Sequence, residues 1–316
     1  LALAPYTNRV VETAYAPASI VKPLMYVAGV SDGVVAIDEA IECRGWYRCE
    51  RCKPRCWTWR PEKKLFGYHG ALLPVDAIRE SCNVYFYTVA DRLGVDRLEE
   101  WYQRWGIGDP IMEGVARGVR GTFIPNKTAI GRLIFGIGQG SVAWTPLHAA
   151  IAYARLARGG NYVAPKFLVD PAPTSSPTAE ARTWNARAVE GALQGMRESA
   201  QRGTASSIRL AHRVKEPILD FDSLPGGAPT IWAKTGTAQV EGQPSHGWYA
   251  GLVAPSGSST PQYAFAVVIE HGHSGAPSAG PVAAQLIRQL AAEGYLGREA
   301  TAGSTPVEWV AEVGSP

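Results

Sequence analysis

A serine and a lysine three residues apart are the first side chains in this sequence that could do covalent chemistry. Ser19 and Lys22 lie in the stretch Ala16-Pro-Ala-Ser-Ile-Val-Lys-Pro23, where Pro17 fixes φ just ahead of a predicted helix start. A serine in the first turn of a helix lies near free N–H groups, which stabilise a developing anion. A lysine at i+3 lies on the same helix face and can take the serine proton if burial lowers its pKa. Alone, the S-x-x-K string is weak, because most such strings are a capping serine and a solvated lysine.

Two further motifs strengthen this interpretation. Ser81-Cys82-Asn83 follows inside Arg79-Glu-Ser-Cys-Asn-Val-Tyr-Phe-Tyr87, and Lys234-Thr-Gly-Thr237 follows inside Ile231-Trp-Ala-Lys-Thr-Gly-Thr-Ala-Gln239. The order S-x-x-K, S-x-N, K-T-G is the signature of the penicillin-recognising serine acyltransferases. All three motifs in this order are not expected by chance.

The likeness extends beyond the three motifs and over about residues 5–292. The sequence resembles the transpeptidase domain of class B penicillin-binding proteins, most closely the elongation type known as penicillin-binding protein 2. The stretches that carry the resemblance are Asn8-Arg9, Tyr15-Ala-Pro-Ala-Ser-Ile-Val-Lys-Pro23, Gly138-Gln-Gly140 with Thr145-Pro-Leu147, Gly203-Thr204, Lys234-Thr-Gly-Thr-Ala-Gln239 and His246-Gly-Trp-Tyr-Ala-Gly-Leu-Val-Ala-Pro255.

The resemblance implies a substrate and a catalytic role for four residues. The substrate would be a peptidoglycan stem peptide ending in D-Ala-D-Ala, and Ser19 would attack its penultimate carbonyl to give an acyl-enzyme. Lys22 would act as the base, and Ser81 would relay a proton to the leaving group. Asn83 would hydrogen-bond the lysine and the substrate amide. β-Lactams would acylate the same serine, and the chemistry needs no cofactor.

The K-T-G segment would bind the substrate. Lys234, Thr235 and Thr237 would hold its terminal carboxylate, and Gly236 would leave room for the ligand backbone to approach the strand. The backbone N–H groups of Ser19 and Thr237 would form the oxyanion hole.

Five cysteines and a histidine form a second group of candidate ligands. They are Cys43, Cys49, Cys52, Cys56, His69 and Cys82. Four of the six could hold a structural zinc ion, and the resemblance permits this because some elongation-type relatives carry zinc in this region. Cys82 should then point away from the cleft that Ser81 and Asn83 face. The alternatives are two disulfides with one free thiol, unpaired thiols throughout, or zinc on His69, Cys82 and two others with the remaining cysteines bridged.

The residue pattern and the resemblance together predict the fold class. Apolar spacing predicts helices over 19–31, twice between 74 and 105 with a break at Gly94, from near Pro146 to about 158, over 186–200 and over 281–293. Stretches bounded by Gly, Pro or Ser predict antiparallel strands over 230–239, 246–254 and 262–270. Trp232, Trp248 and Tyr249 should pack in or beside this sheet rather than contact substrate.

The resemblance implies an α+β fold, the α/β sandwich of penicillin-binding proteins and β-lactamases. An antiparallel sheet is flanked by helices and joined to an all-helical subdomain, with the first hairpin reduced to residues 1–4. We expect a single transpeptidase domain over 1–316, with a sheet subdomain (1–31 and 201–295), an inserted helical subdomain (about 32–200) and a flexible tail (296–316).

Composition excludes some classes of function. The chain has 46% hydrophobic residues, 19% charged residues and a net charge of +3, which is typical of a globular protein. It lacks the blocks of basic residues that are typical of nucleic-acid-binding proteins. No apolar run is long enough for a membrane span. The resemblance implies a place at the periplasmic face of the inner membrane, an upstream anchor and pedestal domain that this sequence does not contain, and a membrane glycosyltransferase partner.

Two other functions compete with transpeptidation. A β-lactamase or D,D-carboxypeptidase would resolve the acyl-enzyme with water, but the deacylating glutamate of class A β-lactamases should follow the S-x-N motif closely. The nearest similar string, Glu216-Pro-Ile-Leu-Asp220, lies far along the chain and lacks the asparagine. A β-lactam sensor would be acylated but would turn nothing over.

Overall fold

The computed structural model describes residues 6–50, 54–60, 65–109, 111, 118–163, 165, 184–209, 215–221, 224 and 226–296. The predicted hairpin remnant at 1–4, the loop predicted over 170–180 and the tail beyond residue 296 lie outside these ranges.

Apart from the helices over 129–135 and 275–292, the described helices begin and end close to the predicted positions, and the helix over 129–135 was not predicted. The described helices are α1 (Lys22–Ser31), α2 (Pro74–Arg79), α3 (Asn83–Arg104), α4 (Ala129–Phe135), α5 (Pro146–Ala157), α6 (Ala186–Arg202) and α7 (Gly275–Ala292), and a 3₁₀ turn over Ala18–Val21 leads directly into α1.

Local sequence explains several of these ends. Thr145 and His148 form a capping box at the start of α5, where Pro146 takes the first helical position. Asn185 caps α6 by accepting a hydrogen bond from Ala188 N. Gly94 breaks α3 as predicted, because its φ of 77° is outside the helical region.

Short antiparallel ladders surround one larger sheet. The strands are β1 (Ile41–Cys43), β2 (Trp59–Arg60), β3 (Leu65–Phe66), β4 (Gly70–Leu72), β5 (Thr122–Phe123), β6 (Val142–Ala143), β7 (Ser207–Arg209), β8 (Lys215–Pro217), β9 (Thr230–Val240), β10 (Gln243–Ala254) and β11 (Tyr263–Ile269). The larger sheet has the order β11-β10-β9, which makes β9 an edge strand of the described sheet. The pairs β1-β4, β2-β3 and β5-β6 lie in the region predicted to be all helical.

The three-stranded sheet is buried on both faces. Trp232, Trp248 and Leu252 belong to the larger core cluster, which includes residues of α1 and α5. Ile231 and Tyr249 belong to a second cluster, which includes residues of α7. Neighbouring residues of one strand therefore enter different cores, as the two-residue period of a strand requires. The predicted burial of the three aromatic residues at 232, 248 and 249 is confirmed.

The last helix differs from its prediction. α7 begins at Gly275 rather than at position 281, and Pro281 lies inside it. The helix tolerates this proline on an exposed face, since the buried side chains at Ala279, Ala283 and Ile287 hold it against the sheet. Burial of an apolar face outweighs the one hydrogen bond that proline removes.

Candidate active site

The turn that carries Ser19 is held in place by other parts of the chain. Ser19 is partly exposed in the 3₁₀ turn, one helical turn ahead of Lys22. Three hydrogen bonds fix the backbone on both sides of it, and they join Ala18 N to Gly138 O (2.7 Å), Trp248 Nε1 to Ala16 O (2.9 Å) and Tyr153 Oη to Ile20 O (2.8 Å). The serine is therefore placed by the fold rather than by a mobile loop.

Gly236 brings this turn against the K-T-G strand. A Cβ at position 236 would lie 3.2 Å from Ile20 Cγ2, 3.2 Å from Pro17 O and 3.1 Å from Trp248 Cβ. The sequence analysis predicts that the missing side chain of Gly236 leaves room for the backbone of a ligand. In the structure the space beside it is filled by the turn that precedes and contains Ser19, so its absent side chain serves the placement of the nucleophile.

Lys22 is directed at the S-x-N motif. It is fully buried, and its Nζ donates to Ser81 O at 2.7 Å, to Asn83 Oδ1 at 2.8 Å and to Ser81 Oγ at 3.2 Å. Burial lowers the pKa of Lys22 to about 8, against the opposing effect of negative charge on the nearby cysteines. No hydrogen bond joins the two described side chains Ser19 and Lys22. Catalytic contacts of this kind commonly tighten only when ligand binds.

Lys234 reaches the same hydroxyl from the other side of the cleft. Its Nζ donates to Ser81 Oγ at 2.9 Å and to Thr235 O at 3.0 Å. Burial, together with the charge on Lys22, lowers the pKa of Lys234 well below its ordinary value. Two buried amines thus meet on one serine hydroxyl, which is a pathway along which a proton can move.

The S-x-N turn is strained and braced. Ser81 has a φ of 55°, an unusual conformation for a residue other than glycine. Cys82 is the N-cap residue of α3, and its side chain makes no capping hydrogen bond. Asn83 donates its Nδ2 to Arg55 O at 3.2 Å, and this fixes the amide so that its Oδ1 faces Lys22.

The free edge of β9 presents backbone groups to the cleft. Gln139 Nε2 donates to Thr237 O at 2.9 Å. Since the N–H and C=O of a residue in an antiparallel strand point to the same side, the Thr237 N–H also faces away from β10. Thr237 is exposed, and Thr235 is partly buried and donates its hydroxyl to Thr204 Oγ1 at 3.2 Å. An extended peptide could add to this edge as a further strand.

Four of the six candidate metal ligands converge behind the S-x-N turn. The ligand atoms of Cys43, Cys56, His69 and Cys82 all lie within 4.8 Å of one another. Cys43 ends β1, Cys56 lies in the loop ahead of β2, His69 lies just before β4 and Cys82 is the N-cap residue of α3, so four separate segments supply them. Cys82 directs its Sγ into this cluster, whereas Ser81 Oγ and Asn83 Oδ1 accept hydrogen bonds from Lys22.

The chemistry of this cluster fits a tetrahedral soft metal. His69 Nδ1 lies 3.6 Å from Cys43 Sγ and 3.5 Å from Cys56 Sγ. Hydrogen bonds from Cys43 and Cys82 lower the pKa of Cys56 well below its ordinary value, which favours the thiolate that metals bind. The His69 Nε2 atom is buried and has no partner among the described residues. A Cys₃His set is one of the usual structural zinc sites.

The alternative of two disulfides with one free thiol is wrong. Cys43, Cys56 and Cys82 are free thiols, so too few cysteines remain for two bridges. Cys49 is disulfide-bonded and is not part of the cluster, and Cys52 lies outside the described residues.

Sequence reasoning missed several supporting groups. It quoted Gln139 and Trp248 in the resemblance but assigned neither to the site, although one reaches Thr237 and the other holds the backbone ahead of Ser19. The Arg55 carbonyl could not be found from sequence at all, since any residue type supplies one. A cavity of about 470 Å³ lies elsewhere, between α1, α2 and α6, and contains no motif residue.

Comparison with protein families decides the classification. The family described as penicillin binding protein transpeptidase domain matches residues 2–290. The chain belongs to this family. Similar curated relatives include the peptidoglycan D,D-transpeptidase MrdA of Escherichia coli strain K12, which is 28% identical over 90% of this chain and 46% of its own length. MrdA of Acinetobacter baumannii is 29% identical over 87% of this chain and 42% of its own length. The chain thus spans less than half the length of these two relatives.

Solved transpeptidase structures share the fold. Penicillin-binding protein 2 of Pseudomonas aeruginosa, in complex with WCK 5153, superposes with a TM-score of 0.70 at 26% identity, covering 93% of this chain and 65% of the other. Penicillin-binding protein 2 of Helicobacter pylori, in complex with MreC, gives 0.73 at 25% identity, covering 92% and 52%. The predicted class B transpeptidase resemblance and the α+β fold class are confirmed. Of the described helices, none has both the length and the hydrophobicity of a membrane span.

Proposed function

We propose that this chain is a peptidoglycan D,D-transpeptidase domain that acts in cell elongation, with Ser19 as its nucleophile. The observation that carries the proposal is the meeting of two fully buried amines, Lys22 and Lys234, on the Ser81 hydroxyl. Burial of a lysine amine costs free energy and shifts its pKa, and strongly shifted pKa values cluster at functional sites, so the motif order identifies the use of these amines as acyl transfer.

The acylation step follows from this arrangement. Ser19 Oγ attacks the penultimate D-Ala carbonyl of a stem peptide, and its proton passes to a neutral Lys22. The oxyanion lies against the N–H groups of Ser19 and Thr237. The proton then moves through Ser81 to the leaving D-Ala amine, the C–N bond breaks, and an ester remains on Ser19. An amine of a neighbouring stem attacks that ester and regenerates the serine.

Substrate binding is assigned to the open edge of β9. The terminal carboxylate of the donor would lie near Lys234, Thr235 and Thr237, where a buried cation and two hydroxyl groups are available. The same groups would hold the carboxylate of a β-lactam, so both ligands acylate one serine. Gly236 contributes by keeping this strand close to the turn of Ser19.

Labelling and turnover together test the proposal. A fluorescent penicillin should give a stable adduct on Ser19 in the native protein and none in Ser19→Ala, with Ser31→Ala as a matched control that still labels. The native domain should also join a D-Ala-D-Ala peptide thioester to a D-amino acid acceptor. Labelling that persists in Ser19→Ala shows that the nucleophile is a different residue. A stable adduct without acceptor transfer favours the sensor, and release to water alone favours the carboxypeptidase or β-lactamase.

We further propose that the cluster of Cys43, Cys56, His69 and Cys82 holds a structural zinc ion. Its place directly behind the S-x-N turn supports a role in fixing that turn, since the Asn83 N–H donates to Cys56 Sγ at 3.4 Å. Elemental analysis should find about one zinc per chain. Cys82→Ser should lower the zinc content and the Tm, whereas Cys49→Ser, outside the cluster, should retain the metal. Absence of zinc from the native protein removes this proposal.

Partners and location follow from the elongation assignment. We propose that the full-length protein acts at the periplasmic face of the inner membrane with a glycosyltransferase. Penicillin-binding protein 2 of Helicobacter pylori was solved in complex with MreC, which supports an MreC-like protein as a second partner here, whereas the glycosyltransferase rests on the resemblance alone. Co-purification of the full-length protein with both partners from membranes tests this.

A further inference from the structure

Gln139 spans the cleft between the turn that carries Ser19 and the K-T-G strand. Its Nε2 donates to the backbone carbonyl of Thr237 at 2.9 Å. We propose that Gln139 is a specificity-determining residue, because its side chain competes with an amide N–H of the acyl donor for this carbonyl. The proposal rests on the proposed function above and adds a residue that discriminates between acyl donors.

The backbone of Gln139 is fixed, so that only its side chain can move. The Gln139 N–H donates to Ile134 O at 3.0 Å, and the Gly138 N–H donates to Phe135 O at 3.0 Å. Gly138 has a φ of 68° and accepts from Ala18 N through its carbonyl, and a side chain there would collide with Ala18. A shift of this turn would therefore move the residue next to Ser19. Rotation of the Gln139 side chain has no such consequence.

Thr237 O is the acceptor that an incoming peptide needs. Along one edge of a strand, outward-pointing carbonyls recur at every second residue, here at Thr235 and Thr237. The Thr235 carbonyl already accepts a hydrogen bond from Lys234 Nζ at 3.0 Å. Thr237, which is exposed, supplies the next carbonyl for a donor that adds to the edge as a strand. In the structure, Gln139 Nε2 occupies that carbonyl.

The competition makes the effect dependent on the ligand. A donor that places an amide N–H against the Thr237 carbonyl must displace the Gln139 side chain. This displacement costs about the net free energy that one ordinary hydrogen bond contributes. Such a bond changes an equilibrium by about two- to tenfold. A donor without that N–H does not need the carbonyl, so Gln139 can stay where it is.

Acylation rates with two classes of β-lactam test the proposal. Benzylpenicillin carries its C6 substituent through an amide N–H, whereas a carbapenem carries a hydroxyethyl group that has none. Second-order rate constants of acylation are measured by intact-protein mass spectrometry for the native protein and for Gln139→Met, which keeps the side-chain length and removes the donor. Gln289→Met, on the exposed face of α7, is the matched control.

The proposal requires that Gln139→Met change the acylation rate constant of benzylpenicillin and not that of the carbapenem. Gln139→Met should raise the benzylpenicillin constant by about two- to tenfold and leave the carbapenem constant unchanged, while Gln289→Met changes neither. An unchanged ratio of the two constants overturns the proposal. A lower penicillin constant also overturns it, because Gln139 would then be a direct ligand contact. If the native protein is not acylated on Ser19 at all, the proposed function fails and this inference fails with it, so the two failures are distinguishable.

Discussion

The assignment of Lys22 as the general base can be tested by placing a carboxylate beside it. Asn83→Asp converts the amide oxygen that accepts from Lys22 Nζ at 2.8 Å into a charged group of nearly the same shape. In the native protein the pKa of Lys22 is about 8, so about one-tenth of the lysine is neutral at pH 7. The acylation rate should therefore rise with pH and level off above about pH 8, because only the neutral amine accepts the serine proton.

The new carboxylate should move this profile toward alkaline pH. An opposite charge within about 4 Å favours the charged form and raises a lysine pKa by about 1–3 units. The neutral fraction at pH 7, and with it the acylation rate, should fall by about 10- to 1000-fold. The loss should be recovered as the pH is raised, since deprotonation restores the same base.

The assay is the rate of benzylpenicillin acylation followed by intact-protein mass spectrometry between pH 6 and about pH 10. Asn185→Asp is a suitable control, because aspartate caps a helix as well as asparagine does and Asn185 lies at the start of α6, next to the C-terminal end of α1. Circular dichroism shows whether Asn83→Asp still folds without the Nδ2 donor to Arg55 O. An Asn83→Asp profile with the native midpoint, or a loss that is equal at every pH, would refute Lys22 as the titrating base.

Two further substitutions test the groups that position the site. Gly138→Ala should lower the free energy of unfolding by about 1–3 kcal/mol, because φ at this position is 68° and the added methyl group would collide with Ala18. Acylation should slow by more than the lower Tm explains, because the turn next to Ser19 would shift. Urea unfolding measures the first effect and penicillin labelling the second. Asp91→Asn removes the carboxylate that Tyr47, Arg48 and Arg132 share. Burial alone would raise the pKa of Asp91, but the hydrogen bonds from Arg132 and Tyr47 and the two guanidinium charges outweigh it and lower that pKa. Its stabilisation, about 1–3 kcal/mol, is therefore present at neutral pH and lost as the pH falls below the ordinary aspartate range, so native and variant Tm values should converge in acid.

The sequence predicted the motif residues and the main elements because their signals are local. Pro17 ahead of Ser19, Pro146 behind Thr145 and the Gly, Pro or Ser residues that bound β9 and β10 each act on the backbone over a few residues. The meeting of Lys22, Ser81 and Lys234 was inferred from the order of three motifs, and the structure brings these side chains together.

Contacts that join distant backbone groups could not be predicted in this way. The sequence does not show that the Arg55 carbonyl orients the Asn83 amide. It also does not show that the space beside Gly236 is filled by Pro17 and Ile20 rather than by a ligand. Spacing gave six candidate metal ligands but not the four that converge, because the sequence over 43–73 has no periodicity from which the directions of side chains could be derived. The start of α7 was misplaced for a related reason, since a proline is compatible with a first turn and here lies beyond it.

The active site requires two buried amines, and their burial should lower the free energy of unfolding of the protein. Lys234 is fully buried, and burial and the Lys22 charge lower its pKa well below the ordinary value, so the protonated amine is disfavoured in the folded state. Where the unfolded chain binds more protons than the folded one, stability rises with pH. Lys234→Met, which removes the titrating amine, should therefore raise the free energy of unfolding at pH 7 by about 0.5–2 kcal/mol, the usual range for a stabilising substitution.

This advantage of Lys234→Met should shrink toward pH 10, where the native lysine is neutral in the folded state and begins to lose its proton in the unfolded chain. Urea unfolding at pH 7 and about pH 9.5, together with penicillin acylation, separates the two contributions. The variant should be more stable and almost inactive, since Ser81 Oγ loses one of its two amine partners and the donor carboxylate loses its cation. Lower stability at both pH values would show instead that the hydrogen bonds of Lys234 to Ser81 and Thr235 outweigh the cost of its burial.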